Sequence, residues 1–254
     1  MDRIIDKLKE IDTGQAGIII YSTKDQKMKA SWNAELPVPL ASAAKVAIGF
    51  CMAKWAEEGK LKWDDMVEGI SFNPKEDSSE LYPHLQKRTF LPLREAVEVM
   101  IACHDSFAAK SIVGSFGGWE KVNEEIQADF PSIKVTEDPR HPDNNGMLSE
   151  LAALMIGIYQ GYNERPMLWA PIINGLVRQR GDIGSIPGHH LNHMTGGLET
   201  AAVDVGIMGD FNKNPYIFVV GASHLPDRLN NMEADEKIIE VMNLVYGEYL
   251  KQRF

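Results

Sequence analysis

The chain has 254 residues, 44% hydrophobic and 24% charged, with 21 glycines and 13 prolines. That supplies a sizeable core for one large domain or two closely packed lobes, and it excludes disordered and fibrous classes. Lys and Arg total 26 against 36 Asp and Glu, a net charge of -10, so no broad cationic footprint exists for nucleic acid or an anionic membrane surface.

Ile4, Ile5, Leu8 and Ile11 recur at helical spacing and predict a short amphipathic helix over 2–12. A strand over 17–22 and a second over 28–33, joined by a polar turn, read as a hairpin. The middle of the chain reads mostly as helices, over 42–58, 93–104, 106–116, 119–127, 146–160 and 166–178. Strands follow near 190–196, 202–208 and 216–222, and a helix over 232–251 closes the chain. Strands at both ends of a helical insert predict an α+β fold. One antiparallel sheet is built from the two termini, with the terminal helices side by side on one face. The expected division is a single domain of two lobes, an α/β lobe from 1–41 and 186–254 and a helical lobe from 42–185. Two cysteines, Cys51 and Cys103, exclude a disulfide scaffold. No apolar run approaches the roughly 18 residues of a membrane span. Residues 1–8 show neither the apolar core nor the cleavage site of a secretory signal, so a cytoplasmic address is expected.

Three segments carry candidate chemistry. The helix opening Ala41-Ser42-Ala43-Ala44-Lys45-Val46-Ala47-Ile48 is apolar nearly all round, the mark of a buried helix. Ser42 and Lys45 share one face of its first turn. Burial lowers a lysine pKa and makes the amine a proton acceptor, and a hydroxyl beside it can become a nucleophile. The plainer reading makes Ser42 an N-cap and lets Lys45 snorkel to the surface.

The second segment is Cys103-His104-Asp105-Ser106, where one apolar helix breaks before another begins. Asp105 or Ser106 can cap the second helix, a cap being the plainer role for Ser106, and His104 can be a structural corner residue. Cys103 lies in an apolar helix, where packing is the usual role.

The third segment is Gly188-His189-His190-Leu191-Asn192-His193-Met194-Thr195-Gly196-Gly197. Three imidazoles raise the question of a metal site. On a strand, however, His190 and His193 point to opposite faces, and no acidic partner lies nearby in sequence. No metal is expected.

Taken in order, these segments resemble the active-site motifs S-x-x-K, S-D-N and K-T-G of the penicillin-recognising serine enzymes, class A β-lactamases above all. Ser42-Ala43-Ala44-Lys45 matches the first motif, His104-Asp105-Ser106 the second and Met194-Thr195-Gly196 the third, with Gly117-Gly118 at the family's glycine turn. The resemblance implies a β-lactamase-like fold and a serine hydrolase or acyltransferase mechanism on a small-molecule amide or ester, β-lactams included. No cofactor is expected, and the charge and the lack of a long apolar run argue against nucleic acid and membrane partners.

Ser42 would attack the carbonyl, with Lys45 as base and Ser106 beside them. Backbone N–H groups of Ser42 and Gly197 would form an oxyanion hole. Asp105, His193, Met194, Thr195, Gly196 and Gly197 would contact substrate. His104 replaces the motif serine and would shuttle a proton to the leaving group. Burial and Lys45 are expected to outweigh Asp105 and lower its pKa, with a histidine ionisation governing activity between about pH 5 and 8.

Met194 replaces the motif lysine, so His193, Arg178 or Arg180 would have to hold a substrate carboxylate. Glu137 lies in the region of the family's water-activating glutamate. These departures leave a second reading open, a non-catalytic protein binding a peptide or small molecule on a β-lactamase scaffold.

Overall fold

The computed structural model describes residues 1–179 and 183–252. Helix α1 (Asp2–Leu8) buries Ile4 and Leu8, then hands over to the hairpin of β1 (Gln15–Ser22) and β2 (Lys27–Trp32). A short strand β3 (Pro37–Pro39) leads into a 3-10 turn, Ala41–Ala43, and then α2 (Ala44–Glu57). Ten consecutive residues of α2, 44–53, are buried, because helices surround it on every side. A peripheral pair, β4 (Met66–Glu68) and β5 (Phe90–Pro92), brackets the short α3 (Ser78–Leu81).

The helical body continues with α4 (Leu93–Ala102), α5 (Ser106–Ser115) and α6 (Gly118–Asp129). Gly117 precedes α6 at φ +111°, a conformation in which a Cβ would be strained. Strand β6 (Asn145–Met147) pairs with β3, and α7 (Leu148–Glu164) and α8 (Pro166–Val177) complete this part. Proline at the first position of α8 suits a helix start, where its missing N–H has no partner to lose. The chain ends with β7 (Leu191–Leu198), β8 (Ala201–Met208), β9 (Tyr216–Ser223) and α9 (Glu233–Lys251).

The main sheet is antiparallel in the order β2-β1-β9-β8-β7, so strands from the two termini meet where β1 pairs with β9. On one face Ile18, Ile20, Phe218 and Val220 pack with Ile4, Leu8, Met242 and Val245 of α1 and α9. On the other, Ile19, Val205, Ile207 and Val219 join the larger core under α2, α4, α7 and α8. With both faces covered, β8 and β9 are buried along their whole length, which explains their unbroken apolar runs. The terminal helices lie together as the sequence predicts, with Lys7 Nζ 2.9 Å from Glu240 and Lys237 Nζ 2.8 Å from Glu10. These exposed pairs add little; the buried stripes hold the helices. Among the described residues, no helix is long and apolar enough to cross a membrane.

Three element boundaries differ from expectation. The first helix stops at Leu8, and Ile11 is buried from the turn beyond it. The helix expected from 146 begins at Leu148, because residues 145–147 are drawn into the β3–β6 pair. The helix expected from 42 opens instead with the 3-10 turn, so Ser42 lies ahead of the regular α2 and makes no capping hydrogen bond.

Candidate active site

The turn carrying Ser42 is held under strain. Ala41 adopts φ +46°, a left-handed conformation uncommon for a residue with a Cβ. Asn144, immediately before β6, fixes it: its backbone carbonyl accepts from Leu40 N at 2.9 Å, and its side-chain amide donates to Ala41 O at 3.2 Å. Lys45, one turn on, is only 2% exposed, and its Nζ stands 3.3 Å from Ser42 Oγ. Burial pushes the Lys45 ammonium down to about 8, against the pull of Glu76 and Asp105. An amine of that pKa is within reach of deprotonation at neutral pH, and a surface lysine is not. The snorkelling alternative is thereby excluded.

The second motif is a tight corner between α4 and α5. His104 takes φ +54°, and Asp105 N bonds back to Met100 O at 3.1 Å. The imidazole is pushed down to about 4 by burial first and the Lys45 charge second, with Gln179 and Asp77 opposing and His193 adding to the fall. The direction matches expectation, but the size removes His104 from the pH 5 to 8 window, since it is neutral throughout.

Asp105, not Ser106, caps α5, accepting from Phe107 N and Ala108 N at 3.0 and 2.9 Å. It also accepts from Asn73 N at 3.0 Å and is fully buried, so it frames the corner and does not face a substrate. Ser106 Oγ accepts from the Asn73 side-chain amide at 3.1 Å. Cys103 is buried at the end of α4.

The third motif lies on β7, an edge strand packed against the Ser42 turn. A Cβ on Gly196 would sit 2.4 Å from Leu40 O, so only glycine permits this approach. Thr195 and Gly197 are exposed, and Met194 is buried with its sulfur 3.4 Å from Gln179 Nε2. Gln179 also donates to Ile101 O, tying the third motif to the end of α4.

His193 is 2% exposed, and its Nδ1 lies 2.8 and 3.0 Å from the two carboxylate oxygens of Asp204 on β8. Burial works against the imidazolium, but Asp204 outweighs it and the pKa is raised. His193 is therefore spoken for, and the sequence-based view that it has no acidic partner is corrected by Asp204. His190 turns away to Tyr246 OH at 2.7 Å. Among the described residues, no group of three His, Cys, Asp or Glu could hold a metal ion.

Two further expectations change. Arg178 is engaged by Glu98 at 2.7 Å and by Tyr82 OH at 3.2 Å, away from the third motif, and Arg180 lies outside the described residues. Glu137 forms an ion pair with Lys110 at 2.6 Å and is 54% exposed, while the carboxylates acting on Lys45 are Glu76 and Asp105.

The cation beside the third motif is Arg228, whose guanidinium would stand 2.8 Å from a Cβ on Gly197. It is held by Asp235 at 2.7 Å and Leu198 O at 3.0 Å. It borders a cleft of about 290 Å³ that Thr195, Gly196 and Gly197 also line. Nothing local in the sequence marks Arg228, Asn73, Glu76 or Asn144, because their partners arrive from distant segments.

The sequence model of the Beta-lactamase enzyme family matches residues 1–249. No curated protein matches the chain. Among solved structures, PBP-A superposes with a TM-score of 0.80 at 19% identity, covering 99% of this chain and 97% of the other. A variant of PBP-A, described as an acyl-enzyme complex with penicillin G, gives 0.80 at 20% identity over 98% of this chain and 96% of that one. A β-lactamase from Chitinophaga pinensis gives 0.80 at 18% identity over 98% of both chains. With the family matched over nearly its whole length, the chain belongs to the β-lactamase enzyme family and has the class A β-lactamase fold.

Proposed function

We propose that this protein is a serine hydrolase or acyltransferase that forms an acyl-enzyme on Ser42 from a small-molecule amide or ester, β-lactams included. The observation that carries the reading is the buried Lys45 amine, 3.3 Å from Ser42 Oγ and lowered to about 8. The neutral fraction of Lys45 takes the hydroxyl proton as Oγ attacks the carbonyl carbon. Backbone N–H groups of Ser42 and Gly197 receive the oxyanion, the latter from the open edge of β7; such donors typically contribute a few kcal/mol in the transition state. His104, neutral and close enough to feel the Lys45 charge, relays the proton to the leaving group, one ring nitrogen accepting as the other donates. Thr195, Gly196 and Gly197 line the substrate, and Arg228 offers the positive charge that Met194 lacks. The acyl-enzyme named for the PBP-A variant supports the same covalent chemistry on this fold. The compartment, expected from the sequence to be the cytoplasm, stays part of the proposal.

The test is intact-mass spectrometry after incubation with a fluorophosphonate and, separately, with penicillin G. The expected result is one adduct per chain, mapped to Ser42 and absent from Ser42→Ala. That variant should keep its thermal midpoint, since Ser42 makes no capping bond. Absence of any adduct would favour the binding-protein reading, which the buried Met194 at the third motif supports.

A further inference from the structure

If Ser42 is acylated, the ester must be cleared by water, and the expected base, Glu137, is engaged at the surface by Lys110. The loop over residues 72–77 supplies another carboxylate. Asn73 anchors that loop to the second-motif corner, its backbone N–H donating to Asp105 at 3.0 Å and its amide to Ser106 Oγ at 3.1 Å. The same amide reaches Glu76 Oε1 at 3.4 Å, so one side chain joins Glu76 to the wall of the site. Among the described residues this long contact is the only hydrogen bond of the Glu76 carboxylate, which leaves its oxygens acceptor capacity for a water. Of the charges acting on Lys45, Glu76 is the largest, ahead of Asp105. Asp105 cannot serve as a base, because three backbone N–H groups already occupy it in full burial.

From this placement, and resting on the acyl-enzyme reading above, we propose that Glu76 is the general base that activates water to release the acyl group from Ser42. The Glu76 carboxylate takes one proton from water while the water oxygen bonds to the ester carbonyl carbon. The resulting oxyanion collapses, the bond from that carbon to Ser42 Oγ breaks, and the proton passes from Glu76 back to Oγ. Water is the only co-reactant. The charged groups around Glu76 are Lys45, Asp105, Asp77 and Arg140. Burial, with Asp105 and Asp77, outweighs the two cations and raises its pKa, giving a stronger base than a solvated carboxylate.

The experiment compares the parent and Glu76→Gln by time-resolved intact-mass spectrometry, with penicillin G and p-nitrophenyl acetate as acyl donors. Glutamine keeps the size and the contact with Asn73 but cannot take a proton. Acylation of Ser42 should stay within about threefold of the parent, which also reports an intact fold. Release should slow by about 10²–10⁴-fold, the usual range for a lost general base, so that the Ser42 adduct accumulates. Deacylation in the parent should fall as pH drops through the Glu76 ionisation, and the variant should lack that limb.

A Glu76→Gln variant that releases acyl groups at the parental rate would overturn the inference, as would an equal fall in both steps. A parent whose acyl-enzyme never hydrolyses would overturn it too, leaving the acyl-enzyme reading intact. A parent that gives no Ser42 adduct with either donor would overturn both.

Discussion

His104 and His193 stand within electrostatic reach of each other, yet their surroundings drive them in opposite directions. Both lose hydration. His104 meets the Lys45 charge and falls to about 4, whereas His193 meets the Asp204 carboxylate at 2.8 Å and rises. Burial lowers both; at His104 the Lys45 charge adds to the fall, and at His193 the Asp204 carboxylate reverses it. The two imidazoles are thereby suited to different roles. One imidazole is kept neutral near Lys45, as the proposed relay requires. The other is paired with a carboxylate at the third motif, where it ties β7 to β8.

The widest separation between the two should come from His104. His104→Ala is expected to lower the rate of Ser42 acylation by about 10²–10⁴-fold, the range for a lost acid-base group. His104→Ser, which restores the hydroxyl of the resembled motif, should recover part of that loss. Stopped-flow measurement on a chromogenic ester checks both. Equal, near-parental rates would reduce His104 to a corner residue.

Asp204→Asn attacks the other member. Removing one partner of a buried pair costs about 3–5 kcal/mol, to be read from urea unfolding. Because the carboxylate raises the His193 pKa, its stabilisation is fully present below the unfolded value of about 6.5 and fades as pH rises through the folded one. The loss in Asp204→Asn should therefore shrink at alkaline pH.

Lys45 supplies the sharper sign. Its pKa falls from 10.5 to about 8 on folding, so the buried ammonium opposes folding. At about 1.4 kcal/mol per unit this amounts to ~3–4 kcal/mol. The penalty is full below pH 8 and disappears above 10.5. Lys45→Met should thus raise the unfolding free energy at pH 7 by up to that amount while stopping acylation, a trade of stability for function. A destabilised Lys45→Met would show that the amine is better accommodated than its burial implies.

What was legible in the sequence follows distance along the chain. The Ser42–Lys45 pair is three residues apart, and the apolar stretch around it announces burial, so both the pair and its lowered pKa can be anticipated. The mirrored helix-strand ends likewise declare the sheet, because each carries an apolar face that needs covering. Contacts that cross the chain leave no such trace. Asn144 reaches Ala41 over 103 residues and Asn73 reaches Ser106 over 33. Arg228 reaches Leu198 over 30. Asp204 was visible as a strand residue, but its pairing with His193 depends on the register of β7 against β8. The sequence leaves the N-cap of α5 open between Asp105 and Ser106, because both are good caps; only the corner geometry selects Asp105. The depth of the His104 shift was also hidden, since it depends on how closely Lys45 and the surrounding helices enclose the ring.

The central claim is that a depressed Lys45 amine activates Ser42 while His104 stays neutral. The pH dependence of single-turnover fluorophosphonate labelling at Ser42 tests it directly. The rate should rise with pH through a midpoint of about 8, where Lys45 loses its proton, with no histidine limb between pH 5 and 7. A rate that is flat across pH 7 to 9, or a midpoint near 6.5 that disappears in His104→Ser, would contradict the account.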